Sequence, residues 1–332
     1  MLSLRLLLVP IGLAALSLSC GGASDATEGA VAAAPPAPKP RNAAEIAQSI
    51  TSGKAGVLVY ADRVRGHPIG PRIAKMSTIS AVLEGTGIDP QQDLERVFFS
   101  AASIGQGHRA ITIAQHRVPT ARMRAAVDVL IARSSPPGAW LPDVGVPAAR
   151  ITVSRQTRVV ALIGSADGGA DDPAGPALML VLPEDQALSA KRFVGTGGFR
   201  DPEGEEVAVA LASDPHHSLR APRAPRVPET IRYLSAKAHL AADGGLDVAM
   251  DAQSTSPEQA TSDAAELTDS VEKATTVRIA IIKLRFFQPV VFRGEADHVK
   301  GSLHLKPSEI DQLLGFAEAF ARQQAAGSDG SP

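Results

Sequence analysis

A single cysteine, Cys20, stands directly behind an apolar run, and the 312 residues after it contain no thiol. Neither a disulfide nor a thiol-ligated metal can therefore staple the body of this chain, and its fold has to be held by packing. The chain is long enough for one large or two ordinary domains, and 44% apolar residues can supply the core. Ahead of the cysteine, Met1-Leu2-Ser3-Leu4-Arg5 carries one cation and Leu6 to Leu18 is apolar apart from Pro10, Gly12 and Ser17. That is the pattern of a secretory signal. As a helix, 13 residues span about 20 Å against a hydrocarbon core of roughly 30 Å, so a cleaved signal is the better expectation than a permanent span.

The stretch Leu16-Ser17-Leu18-Ser19-Cys20, followed by Gly21-Gly22-Ala23-Ser24, resembles the lipobox of bacterial lipoproteins. Ser17 takes the place where that family usually carries Leu. The resemblance implies that residues 1–19 are removed, that the Cys20 sulfur receives a diacylglycerol, and that the new N-terminus is acylated. Several acyl chains anchor a protein stably where one does not. Gly21 in place of Asp implies an outer-membrane address, with the body facing the periplasm and the membrane as its first partner.

Composition sets limits on other partners. Loss of residues 1–19 removes Arg5 and leaves 32 basic against 35 acidic side chains, which gives no electrostatic case for nucleic acid. Aromatic residues make up 4% and Trp140 is the sole tryptophan, which argues against a sugar-stacking platform. Residues 20–42 are rich in Ala, Gly and Pro, ending Ala33-Ala34-Pro35-Pro36-Ala37-Pro38-Lys39-Pro40, and read as an extended tether.

From residue 43 the periodicity predicts an α+β fold with mainly antiparallel sheets. The first module, 43–176, reads strand (56–61), helix (71–83), hairpin (96–104 with 108–116), helix (120–133), hairpin (150–155 with 158–164). A second module, 177–326, reads in a similar order, with strands at 177–182 and 206–212, a hairpin around Asp243-Gly244-Gly245, and a helix opened by Ser256-Pro257-Glu258-Gln259. Val277 to Phe287 fits helix or strand. A last hairpin turns at Asp297-His298, a C-terminal helix follows Pro307, and 327–332 is a polar tail. Placing Pro119 on Pro257 superposes two helix starts, consistent with duplication of one unit although few side chains match. Along Leu246 to Asp251, apolar residues alternate with Asp247, Ala249 and Asp251, as in a sheet with one wet face.

Gly85-Thr86-Gly87-Ile88-Asp89-Pro90, with Asp93-Leu94-Glu95-Arg96-Val97 leading into a strand, is similar to a motif of uncharacterised lipoproteins and secreted proteins of Gram-negative bacteria. The resemblance implies no activity. Physically it reads as a helix stop, a cap with Gln92 three residues after Asp89, and a strand entry.

Chemistry-bearing patterns are sparse. Ser270-Val271-Glu272-Lys273 has the Ser-x-x-Lys spacing of penicillin-binding proteins, yet lies inside an amphipathic helix with neither companion motif in the chain. His216-His217 are adjacent and lack ligand spacing; His108 and His116 lie about 27 Å apart on one expected strand. Asp167-Gly168-Gly169-Ala170-Asp171-Asp172 lacks the alternation of a calcium loop, and Gly195-Thr196-Gly197-Gly198 follows a helix where a phosphate loop precedes one. Arg220, Arg223 and Arg226 recur every three residues among prolines, so a polyproline II segment would set them along one edge that could face an anion, though a stiff solvated spacer entering the next strand is the better expectation. No metal or cofactor is expected. The reading that results is a non-catalytic binding or assembly module for an envelope protein or ligand. Its alternative is a lipid-anchored hydrolase whose site is assembled from residues distant in sequence.

Overall fold

The computed structural model describes residues 42–71, 78–103, 109–153, 156–166, 176–220, 224–279, 282–285, 288–313 and 315. Helices and a large antiparallel sheet make it a mixed α+β protein. In chain order the strands are β1 (Ala55–Tyr60), β2 (Leu94–Ala101), β3 (Ile111–His116), β4 (Ala139–Trp140), β5 (Ala148–Val153), β6 (Gln156–Ile163), β7 (Leu178–Pro183), β8 (Glu206–Ser213), β9 (Tyr233–Leu240), β10 (Leu246–Gln253), β11 (Thr276–Ile279), β12 (Ile282–Arg285), β13 (Phe292–Glu295) and β14 (His298–Leu305). The helices are α1 (Ala43–Thr51), α2 (Ala61–Val64), α3 (Thr78–Leu83), α4 (Pro90–Asp93), α5 (Thr120–Arg133), α6 (Pro215–Ser218) and α7 (Pro257–Thr275), with a 3₁₀ stretch at Glu184–Phe193.

Twelve strands form one sheet in the order β13-β14-β10-β9-β8-β1-β2-β3-β7-β6-β5-β4, while β11 and β12 pair by themselves. Within the ambiguous stretch after α7, the described residues 277–279 and 282–285 are thus in paired antiparallel strands. On either side of the β1–β8 pair the connections run alike. Three antiparallel strands are followed by a helix, α5 or α7, and then by four strands, the last of which pairs with the third: β7 with β3, and β14 with β10. The expected division at 176/177 falls between β6 and β7, which pair from Arg158↔Pro183 to Ile163↔Leu178. In sequence β7 looks like a beginning because a polar, Gly-rich loop precedes it. In space it is a central strand buried on both faces, which is why Leu178-Met179-Leu180-Val181-Leu182 is apolar without a break.

The layers follow from that alternation. Leu178, Leu180 and Leu182 join Phe98, Ile111 and Ile113 beneath Ala43, Ile46 and Ala47 of α1 and Phe193 of the 3₁₀ stretch. Met179 and Val181 point the other way, to Met123, Val127 and Leu130 of α5 and Ile79 and Leu83 of α3. The β9–β10–β14 half instead has one buried face, where Leu234, Ala236, Val248, Leu303 and Leu305 meet Ala260, Ala264 and Leu267 of α7. Each fully buried leucine contributes roughly 2 kcal/mol of transfer free energy, which is how a thiol-free body holds together.

Local signals placed α4 and α7. Asp89 accepts from Gln91 N–H at 2.9 Å, and the cap is closed by Asp93, whose Oδ2 accepts from Asp89 N–H at 2.9 Å, rather than by Gln92. Arg122 then grips Asp93 Oδ2 at 2.9 Å and the Gly87 carbonyl at 2.6 Å, so the glycine-rich motif is a structural junction. Ser256 caps α7 by accepting from Gln259 N–H at 3.2 Å. Two arginines pin the crossing from one half to the other: Arg63 donates to Gly204 O and Glu206 O, and Arg96 to Phe199 O and Arg200 O, with both guanidinium groups within 6 Å of the Tyr60 ring centroid, at 5.6 and 5.8 Å.

Candidate binding face

One register row shows where the sheet is left open. Ala148, Ala161, Leu180, Ile113, Phe98, Leu58, Val209, Lys237, Ala249 and Ser302 stand opposite one another across ten strands and therefore on one face. From Ala148 to Leu58 the row is buried; at Val209 it is half-buried; Ala249 and Ser302 are exposed. Beyond β8 no described element covers this face, and the side chains turn polar accordingly. Tyr233, 49% exposed, shares β9 with Ser235, Lys237 and His239. β10 adds Asp247, Asp251 and Gln253, and β14 adds His298, Lys300, Ser302 and His304. The sequence alternation at Leu246 to Asp251 places Asp247 and Ala249 on this face, with Leu246 and Val248 buried behind them.

The polar groups are cross-linked strand to strand. His304 Nδ1 lies 2.7 Å from Asp247 Oδ1 and its Nε2 lies 3.1 Å from Asp243 Oδ2. His298 Nδ1 lies 2.7 Å from Asp251 Oδ1. Lys300 donates to Glu295 at 2.6 Å and Lys237 to Glu203 at 3.1 Å. The Asp247 hydrogen bond, assisted by Asp243, holds the His304 imidazole above its usual value. Gly245 N–H, donating to the Asp243 carboxylate, keeps that group below the usual carboxylate range, with His304 adding to the effect. His298 and His304 are thus committed to carboxylates. Spacing along the chain concealed these pairs, because Asp247 and His304 are 57 residues apart. The available signal was parity: 298, 300, 302 and 304 share one side of one strand.

The other singled-out residues are not gathered here. Cys20, Arg223, His108 and Asp167 to Asp172 lie outside the described residues. Arg220 and Arg226 are exposed, and Arg226 N–H donates to Ser270 Oγ at 2.5 Å, which sets Arg226 beside α7. That hydrogen bond, with Lys273 paired to Asp269 at 2.5 Å, occupies both members of the Ser-x-x-Lys spacing. His216 meets the Val227 carbonyl and His217 meets Asp214, so the adjacent imidazoles serve separate partners. Gly198 receives the Ala43 N–H at its carbonyl, tying the glycine loop to the start of α1. His116 is buried, and burial pushes its imidazole down to about 4. Among the described residues no three His, Cys, Asp or Glu are placed to share a metal ion, and no helix is long and apolar enough to cross a membrane.

No family model matches the chain, and no curated protein matches it. Among solved structures, crystal form I of TP0453 is similar at 8% identity, covering 80% of this chain and 94% of that one, with a TM-score of 0.39. A likeness of that degree supports no statement about function.

Proposed function

We propose that this chain is a lipid-anchored module of the outer membrane, facing the periplasm, that binds an envelope protein or ligand without turning it over, through the open face of β9, β10 and β14. The observation that carries the reading is the register row: apolar and covered in one half, polar and uncovered in the other, although both halves share one sheet. A face patterned for water on a thiol-free, tethered body suits polar recognition. The matching connection order on the two sides of β1–β8 supports a duplicated unit, in which one copy kept both faces covered and the other freed one for binding. Lipid at Cys20 would supply the anchor and residues 20–42 the reach.

A photo-crosslinking residue placed at Ser302 or Ala249 tests the binding role against the same residue placed at Glu266 on α7. Adducts in cells from the first two positions, lost when Lys237 and Lys300 are both changed to Glu, are expected. Adducts formed equally from Glu266, or from none of the three, would refute the reading. The anchor is tested separately by fractionation: Cys20→Ala should leave the membrane fraction, and retention after a high-salt wash would exclude lipidation.

A further inference from the structure

No described strand pairs with the outer edge of β13, and α7 stands on it. Glu295 and His298 close a two-residue turn and so form a hydrogen-bonded pair; by alternation Arg293↔Lys300 is bonded to β14 as well. Phe292 and Gly294 then direct their N–H and C=O groups away from β14, toward where another strand would lie. The Phe292 N–H donates at 3.0 Å to Thr268 Oγ1 of α7, so a helix hydroxyl occupies the position of the next strand's carbonyl. Thr268 is held for this by donating its own proton to the Ala264 carbonyl at 2.8 Å. At Gly294 the helix backbone comes so close that an added Cβ would lie 2.9 Å from Thr261 N and 3.0 Å from Ala260 C. The opposite edge, β4, has only two residues to offer.

We propose that α7 is a guard on the β13 edge, and that loosening its hold on Phe292 and Gly294 makes β13 a strand-addition site for a second copy of this chain. Exposed edges pair with whatever strand is at hand, and covering them with a helix blocks this. A second copy fits because the strand is complementary to itself. In an antiparallel pair with Gly294 opposite Gly294, the outward-facing groups of both copies meet, and each Arg293 stands opposite Glu295 of the other copy. Opposite charges facing each other across a ladder stabilise it, and the two-fold symmetry closes the assembly at a dimer.

The test uses the full chain carrying Thr268→Val, which removes the acceptor at nearly constant shape, or Gly294→Val, which forces the helix away. Sedimentation velocity over a range of concentrations should show a species of twice the parent's mass, with dimerisation roughly tenfold tighter than the parent's for loss of a single competing hydrogen bond. Adding Glu295→Arg should abolish that association, and the exchange Arg293→Glu with Glu295→Arg should restore it. Variants with the parent's circular dichroism and protease resistance that keep the parent's mass would overturn the proposal, as would association indifferent to charge at 293 and 295. If Gly294→Val fails to fold, Thr268→Val alone decides.

Discussion

Acid should weaken this protein through His116 over a defined interval. The side chain ends β3, is 6% exposed, and accepts the Val118 N–H at Nδ1 over 3.2 Å, a hydrogen bond that only the ring without a proton at Nδ1 can accept. Burial is the main cause that moves its midpoint from 6.5 to about 4, against weaker opposing pulls from the Glu95 and Asp93 carboxylates. Since the folded value is the lower one, the unfolded chain takes up the proton first. The contribution is complete above pH 6.5 and is lost as pH falls toward 4, amounting to about 3 kcal/mol at roughly 1.4 kcal/mol per pH unit. His116→Asn provides the comparison: its Oδ1 can accept the Val118 N–H but does not titrate. Urea unfolding of both proteins from pH 7 to 4 cancels the carboxylates they share. The parent's stability should decline toward acid more steeply than the variant's, by about 3 kcal/mol over the interval. Parallel stability curves would refute the assignment of a buried, neutral imidazole.

Asp263 is wholly buried near the start of α7 and accepts from Thr230 at 2.6 Å, Ser254 at 2.5 Å and Gln259 at 2.8 Å; Asp263→Ala should cost about 3 kcal/mol in urea unfolding, because three donors lose their acceptor together. In an NMR titration His304 should show a midpoint above 6.5, moving down in Asp247→Asn; its support for the fold is present at low pH and lost as pH rises through that midpoint. Ala296 holds φ at 53° in the β13–β14 turn, so Ala296→Gly should raise thermal stability by about 0.5–1 kcal/mol, whereas a decrease would show that the turn carries no strain.

The sequence by itself determined whatever depends on neighbours along the chain. The caps of α4 and α7, the wet face of β10 and the apolar continuity of β7 are local periodicities, legible because a strand repeats every two residues and a helix every 3.6. Partner choice between strands was decided only in the tertiary structure. A Gly-rich loop ahead of β7 looks the same whether it joins two modules or two hairpin strands, and the pairing of β6 with β7 settles which. Likewise Asp247, Asp243 and His304 have no recognisable spacing, because cross-strand register brought them together. Thr268 reads as one more polar position on a helix until β13 places the Phe292 N–H beside it. Hydrogen bonds between adjacent strands act over about 5 Å in space, at no fixed interval in sequence, and so the open face had to wait for the fold.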